Sequence, residues 1–287
     1  MTKISSEKLL SYRARTYRIT REHQLRDLQE AVSFVKERGF IFFWPIKGIE
    51  MPSLWAAVAG DRPVADAHDD PGHISWSWKD QSLGMRIWYY GKVLRKKSTI
   101  IDLNLMPYFY ALSKNYGNPS EDIQIQYYEG AISRDEKVIF DTINDNGPMD
   151  TIAIRKAARM ISKETNSRFD RAITNLQSSL KILPVGISDA GGWRYAFIYD
   201  LVHRYYPEIL ETARMISERK ARVKLVETYL QSVGAAHLSD VTRLFHWEKT
   251  DVTKTIEALK AKGRIICDLD FQNTKGEWFA INEIMQS

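Results

Sequence analysis

The chain has little cysteine and no long apolar run. Cys267 is the single cysteine among 287 residues, which excludes an intrachain disulfide framework and fits a reducing compartment. The longest apolar run, FIFFWPI at residues 40–46, contains a proline and is far shorter than the ~20 residues of a membrane-spanning helix. The first twenty residues lack the apolar core of a signal peptide. We therefore expect a cytoplasmic protein without a membrane segment.

Metal-binding signatures are also missing, because the six histidines show neither HxH nor HExxH spacing. We predict no metal ion and no cofactor. With 44% hydrophobic and 27% charged residues, the composition is typical of a globular protein. The net charge of +5 favours acidic partners without requiring them.

A helix followed by a β-hairpin occurs twice. The apolar residues of the first helix fall at i, i+4, i+7 and i+11, which predicts one buried stripe: Phe169, Ile173, Leu176 and Leu180. The segments KILPV and WRYAFIY then read as strands joined by the turn GISDAGG. Val252, Ile256 and Leu259 repeat the first three apolar positions 83 residues downstream (252 minus 169). An offset of this length indicates duplicated domains, since solenoid repeats are about 20–50 residues.

Each copy follows a predicted pair of helices, at residues 135–146 and 151–160 in the first and at 221–232 and 238–245 in the second. Three helices and a hairpin make a winged helix. An N-terminal helix at residues 23–38 and a hairpin at 86–105 predict a third, diverged copy. The predicted fold is α+β, mainly helical, with three tandem winged-helix modules at residues 1–118, 119–206 and 207–287.

Basic residues gather around the first repeated helix and its hairpin, which is the pattern of a nucleic-acid-binding face. We assign to phosphate contact Arg155, Arg159, Arg168, Arg171, Lys181 and Arg194, together with Arg95, Lys96 and Lys97 at the tip of the N-terminal hairpin. Asn175 is a candidate for contact with a base edge. Ordinary surface charge is the alternative for each of them, and lysines on a hairpin also protect its edge from pairing.

Residues 61–80, DRPVADAHDDPGHISWSWKD, concentrate carboxylates and imidazoles. Asp66, His68, Asp69, Asp70 and His73 could hold a divalent metal or carry out acid–base chemistry. The alternative is a polar loop whose side chains cap the next helix and satisfy backbone groups of its turns.

Aromatic residues provide a second set of candidates. Phe43, Trp44, Trp76 and Trp78 could line a base-sized pocket or wedge into a duplex. The alternative is that these large rings belong to the core.

Two stretches, GFIFFWPIKGIEMPSLWAAV at residues 39–58 and MRIWYYGKVLRKKSTIIDLNLMPYFYAL at 85–112, together with the C-terminal repeat, are similar to a known family. The chain resembles the AlkZ/YcaQ group of winged-helix DNA glycosylases, bacterial proteins that unhook alkylated bases and interstrand crosslinks. The similarity covers most of residues 20–285.

The resemblance implies a Gln-x-Gln or Gln-x-Asp motif upstream of a Leu-Trp pair, where it positions the attacking water. Before Leu54 and Trp55 this chain has Phe42-Phe43-Trp44-Pro45 instead. Apolar side chains neither bind nor deprotonate water, so the catalytic motif of the family is missing.

Three hypotheses follow. The leading one is a nucleoid-associated protein that binds double-stranded DNA, damaged or intact, with catalysis left open. The second is an active DNA glycosylase in which Asp69 or Asp70 orients water and His68 or His73 assists. The third is a winged-helix scaffold for protein interactions, because fold alone does not fix function. The oligomeric state and the lesion stay open.

Overall fold

The computed structural model describes residues 3–115, 118–191, 194–271 and 274–286. Helix α1 (Ser6–Thr16) is capped by Ser5, whose hydroxyl accepts a hydrogen bond from the amide of Lys8. The next helix, α2 (Leu28–Arg38), is capped by Asp27, whose carboxylate accepts a hydrogen bond from the amide of Glu30. It opens the first unit, residues 28–101, which continues with β1 (Phe40–Phe42), α3 (Leu54–Ala59), α4 (Ile74–Ser82), β2 (Tyr89–Lys92) and β3 (Ser98–Ile101).

Two helices, α5 (Met106–Tyr110) and α6 (Pro119–Tyr128), lead to the second unit, residues 134–201. Its first helix is fixed by a capping box in which Ser133 and Glu136 each bind the other's backbone amide. The elements of the second unit are α7 (Arg134–Asn146), β4 (Met149–Asp150), α8 (Thr151–Ala157), α9 (Asn166–Ser178), β5 (Ile182–Ser188) and β6 (Ala196–Leu201).

Two further helices, α10 (Val202–Tyr205) and α11 (Pro207–Arg214), connect to the third unit, residues 218–281. The elements of the third unit are α12 (Glu218–Val233), β7 (Ala235–His237), α13 (Leu238–Phe245), α14 (Lys249–Ala261), β8 (Ile265–Phe271) and β9 (Thr274–Ile281). Helix α15 (Asn282–Gln286) follows.

The described strands pair into three antiparallel sheets of the same design, in the orders β1-β3-β2, β4-β6-β5 and β7-β9-β8. In each unit the element order is helix, strand, helix, helix, strand, strand. Helix α14 begins 83 residues after α9 (249 minus 166), and β8 begins 83 residues after β5 (265 minus 182). The predicted α+β class and the spacing of the repeat are confirmed. The short first strands of the second and third units, β4 and β7, were not predicted, because two or three residues carry no periodicity.

The largest apolar core joins the first and third units. It includes Phe40 and Tyr89 of the first unit and Tyr229 and Val252 of the third. Helix α12 passes close to Gly39, which has a φ of 74° and where an added Cβ would lie 2.5 Å from a methyl carbon of Thr228. Glycine at this position therefore permits both the end of α2 and its close contact with α12.

Helix α1 packs on the third unit. The Tyr12 hydroxyl donates to the Gln231 carbonyl at 2.7 Å, and Arg13 donates to the carbonyls of Val233 and Ala235. These contacts satisfy carbonyls at the C-terminal end of α12 and in β7. In the part of the chain that the structure describes, no helix has the length and apolar character needed to cross a membrane.

Candidate functional site

The loop at residues 61–70 is folded by its own acidic and basic side chains. Arg62 donates to both carboxylate oxygens of Asp70, and Oδ1 of Asp70 also accepts the amide of Gly72 at 2.7 Å. Hydrogen bonds from Arg62 and the Gly72 amide lower the pKa of Asp70. Nε2 of His73 donates to the Ala65 carbonyl at 3.0 Å. Asp70 and His73 therefore fold the loop, which is the alternative that the sequence left open.

The remaining candidates of this loop, Asp66, His68 and Asp69, are exposed. No group of three or more His, Cys, Asp or Glu side chains that could hold a metal ion occurs among the described residues. The structure engages Asp70 and His73 in the loop itself and leaves the other three at the surface, where acid–base chemistry stays a prediction.

Three of the four aromatic candidates come together. The ring centroids of Phe43 and Trp44 are 4.5 Å apart, and that of Trp76 lies 6.0 Å from Phe43 and 6.1 Å from Trp44. Trp76 is 41% exposed and Trp44 is half-buried, whereas Phe43 is fully buried. Trp78 is buried in the core of the first unit. The prediction of a pocket or wedge role for Phe43 and Trp78 is therefore wrong, because neither ring is available to a ligand.

A buried lysine lies beside this aromatic cluster. Lys79 is on α4 and is only 1% exposed. Its Nζ faces rings from both the first and the second unit, at centroid distances of 4.2 Å (Trp76), 4.7 Å (Phe197), 5.5 Å (Tyr195), 5.6 Å (Tyr90) and 6.0 Å (Phe43). The negative faces of aromatic rings attract an ammonium group when it is withdrawn from water.

Asp80 and Tyr195 complete a polar triad with Lys79. Nζ of Lys79 lies 2.5 Å from Oδ1 of Asp80 and donates to the Tyr195 hydroxyl at 2.9 Å. That hydroxyl in turn donates to the same Oδ1 at 2.9 Å. Since Tyr195 directly precedes β6, the triad connects the first unit to the second.

Burial dominates the electrostatics of this triad. Desolvation lowers the pKa of Lys79 from its ordinary value, while the neighbouring Asp80 opposes that change. Desolvation and then the hydrogen bond to Asp80 raise the pKa of Tyr195. Tyr195 therefore stays a neutral hydroxyl over the whole physiological range and remains able to donate to the carboxylate.

The cationic tip of the first hairpin is not a free wing. Arg95 and Lys96 both have left-handed backbone conformations, with φ of 55° and 57°. Nζ of Lys96 donates to Oδ1 of Asn175 at 2.7 Å, and a guanidinium nitrogen of Arg95 lies 3.3 Å from Nδ1 of His246. The tip thus contacts both α9 and the end of α13, while Lys97 stays exposed.

The contacts of the hairpin tip also involve Asn175, the candidate for contact with a base edge. Asn175 accepts from Lys96 and donates through Nδ2 to Oε1 of Glu136. Its amide connects the first hairpin to α7, so contact with a base edge, which stays a prediction, would require Asn175 to exchange one of these partners.

The predicted stripe is buried as expected at Phe169, Ile173 and Leu176 of α9, and Leu180 is also buried although the helix ends before it, at Ser178. The nearby arginines fall into two groups. Arg168 binds Asp135 through two nitrogens, and Arg155 pairs with Asp170 while its guanidinium carbon lies 4.0 Å from the centroid of Phe169. Arg159, Arg171 and Arg194 are exposed, and none of them has an ion pair with a residue in the described ranges.

Lys181 is the basic candidate that the structure removes from the surface. It is 4% exposed, and its Nζ donates to Oδ1 of Asn115. Burial lowers its pKa to about 8. The assignment of Lys181 to phosphate contact is wrong, because its ammonium group is directed into the protein.

Sequence reasoning missed Lys79, Asp80 and Tyr195. A signal for the first two was present, because Trp76 precedes Lys79 by three residues and Asp80 by four, which places all three on one side of a helix. Treating residues 61–80 as a single loop concealed this spacing. The contact with Tyr195 spans 115 residues of sequence.

Three comparisons with known proteins bear on this site. The family model described as "AlkZ related" matches residues 25–246. A solved structure, the DNA glycosylase AlkZ of Streptomyces sahachiroi, is similar to this chain with a TM-score of 0.60 and 10% identity, over 99% of this chain and 72% of that one. No protein of curated function matches the sequence significantly. At 10% identity, the structural likeness bears on the fold alone.

Proposed function

The chain belongs to the AlkZ-related family, and from that membership we propose that it is a double-stranded DNA-binding protein related to base-excision and crosslink-repair DNA glycosylases. In this proposal it acts in the cytoplasm, at the nucleoid. The observation that carries the proposal is the extent of the family match, which includes both the Lys79 triad and the exposed arginines around α9.

The proposal treats the three units as winged-helix modules within the ranges 1–118, 119–206 and 207–287. The element order and sheet order shared by the units support it. The third helix and the hairpin of the second unit would face the duplex, since these elements enter or flank the groove in helix-turn-helix proteins.

Phosphate contact is proposed for the exposed arginines Arg159, Arg171 and Arg194. Because they have no ion pair within the described part of the chain, binding a phosphate would break no such pair there. Arg155 and Arg168 would have to exchange Asp170 and Asp135 for a phosphate. The three exposed arginines are therefore the first residues to test.

The test is fluorescence anisotropy of a labelled duplex, intact or carrying one N7-methylguanine, over a salt series. Arg171→Glu should weaken binding and lower the slope of log K against log salt by about 1. Lys8→Glu is the matched control, because it reverses one exposed charge on α1, which packs on the third unit. It should leave both quantities unchanged.

Absence of binding by the wild-type protein even at low salt would contradict the proposal and favour a protein-interaction scaffold. Equal losses in Arg171→Glu and Lys8→Glu would indicate attraction by net charge rather than a specific face. The alternative of catalysis in the loop receives no support from the geometry, because Asp70 and His73 are engaged in folding it.

A further inference from the structure

We propose that Asp80 is a catalytic carboxylate, which accepts a proton from the water that hydrolyses the N-glycosidic bond of a base extruded from duplex DNA. Lys79 and Tyr195 are its positioning residues. The inference rests on the proposed function, since it requires the duplex to be bound.

The orientation of the Asp80 carboxylate is fixed from two sides. Oδ1 forms an ion pair with the ammonium group of Lys79, its neighbour on α4, and accepts a hydrogen bond from the hydroxyl of Tyr195 in the second unit. Oδ2 makes no hydrogen bond with any side chain or amide in the described ranges. With 19% of the side chain exposed, Oδ2 can bind a water while Oδ1 stays in place. A preorganised carboxylate of this kind loses little free energy to reorientation during reaction.

The surroundings of Asp80 suit an extruded base. The exposed ring of Trp76 is one turn away on α4 and lies 6.3 Å from the Tyr195 ring. Enzymes that act on extruded bases stack them against aromatic side chains. The rings around Lys79 also exclude water, and lower local polarity strengthens the attraction between a carboxylate and positive charge that develops on the sugar.

Two buried carboxylates of the second unit bind groups of their own or a neighbouring helix or strand. Glu136 closes the capping box of α7 and accepts from Asn175. Asp200 pairs with Arg204 and accepts the amide of Leu201. The contacts of Asp200 are also made through Oδ1, but its side chain is only 6% exposed. Asp80 differs because its side chain is 19% exposed, so that its Oδ2 can be reached by water.

The chemical step is a hydrolysis. The water oxygen forms a bond to C1′ of the sugar, and the bond between C1′ and the base nitrogen breaks with its electron pair remaining on the base. The proton of the water passes to Oδ2 of Asp80. A base that carries a positive charge from N-alkylation leaves as a neutral molecule, so this step needs no acid to protonate it.

The test is single-turnover release of N7-methylguanine from a duplex, measured together with duplex affinity. Asp80→Asn should lower the rate of release at least about 100-fold, the smaller end of the usual contribution of a general base. Its duplex affinity should equal that of the wild type. Asp70→Asn is the matched control, because it removes a carboxylate of the same segment, and its release should be unchanged.

Two further variants separate chemistry from folding. Lys79→Met combined with Asp80→Asn removes both charges, so no buried charge is left alone; it should fold, bind DNA and release no base. Tyr195→Phe keeps the ring and removes the donor to Oδ1. It should slow release and shift the acid limb of the pH–rate profile, which a purely structural role for Tyr195 would not do.

Unchanged release by folded Asp80→Asn, or loss of release in Asp70→Asn alone, would overturn the assignment. Wild-type binding without release from the methylated duplex would also overturn it and would leave the proposed DNA binding intact. Failure of the wild type to bind the duplex at low salt would overturn both.

Discussion

Asp70 and Asp80 lie ten residues apart on one segment, and each is paired with a basic side chain, yet their surroundings differ in kind. Asp70 binds Arg62 and the Gly72 amide within its own surface loop. Asp80 binds a fully buried lysine and a tyrosine from another unit. The surface pair shapes a turn, whereas the buried pair fixes a carboxylate where two units meet.

The physical basis of this difference is the solvation of the basic partner, because Arg62 is 38% exposed and Lys79 is 1% exposed, whereas the two aspartate side chains are similarly exposed, at 17% and 19%. Exposed ion pairs contribute little, because water screens them and both side chains lose conformational freedom. A buried pair is costly to form, and its partners cannot be removed separately without leaving a charge in an apolar place. Substitutions at the two aspartates should therefore have effects of very different size.

The largest expected effect is from Asp80→Asn on stability. It leaves the Lys79 ammonium group among rings without its carboxylate, which should lower the free energy of unfolding by about 3–5 kcal/mol. Chemical denaturation followed by circular dichroism measures this value. Adding Lys79→Met should restore most of the loss, and wild-type stability in Asp80→Asn alone would show that the pair is not a buried one.

Tyr195→Phe should have the next largest effect. The ring is retained, but the hydroxyl that accepts from Lys79 and donates to Asp80 is lost, which should cost about 1.5–3 kcal/mol because both partners are charged. Tyr128→Phe, at an exposed tyrosine, is the matched control and should leave the unfolding transition unchanged. If both variants unfold like the wild type, the Tyr195 hydroxyl does not stabilise the fold.

The pH dependence of stability should distinguish Lys79 by its sign. Since burial lowers its pKa below the ordinary 10.5, the unfolded chain binds more protons at this residue than the folded chain does. The cost of burying the charge is present at lower pH and is relieved as pH rises towards 10.5. The stability of wild type relative to Lys79→Met should rise over that range, and a fall would contradict the direction of the shift.

Asp70→Asn should have the smallest effect. Asparagine also caps a helical turn, so mainly the contact with Arg62 is lost. Because the pKa of Asp70 is lowered from 3.8, its stabilisation is present above that pH and is lost as pH falls through the lower, folded value. The melting temperature of Asp70→Asn should be slightly below that of the wild type at neutral pH, and the difference should disappear in strong acid. A large decrease at neutral pH would show that Asp70 stabilises the fold as much as Asp80 does.

Sequence periodicity predicted the parts of this fold that local patterns encode. The stripe of Phe169, Ile173 and Leu176 and its copy 83 residues later predicted α9, α14 and their hairpins, since an apolar face must be buried wherever it repeats. The polar-loop alternative for residues 61–70 was also correct for Asp70, because capping is a local interaction.

The candidate site was harder to predict because its contacts are not local. Whether a lysine is solvated or buried depends on elements that pack over it. The sequence therefore predicted Lys181 as a surface charge and did not identify Lys79, although both are buried. The hairpin tip has the composition of a free wing, and only packing against α9 and α13 engages Lys96 and Arg95.

The claim that helix α4, rather than the preceding loop, is the functional end of this segment can be tested by site-specific photocrosslinking. p-Benzoylphenylalanine is placed at Trp76 or at His68, both of them exposed, and each protein is irradiated with a labelled duplex that carries N7-methylguanine. The account predicts a protein–DNA crosslink from position 76 that an excess of unlabelled duplex abolishes, with little or none from position 68. A crosslink from position 68 alone would contradict this prediction, because it would place the DNA against the loop rather than against α4.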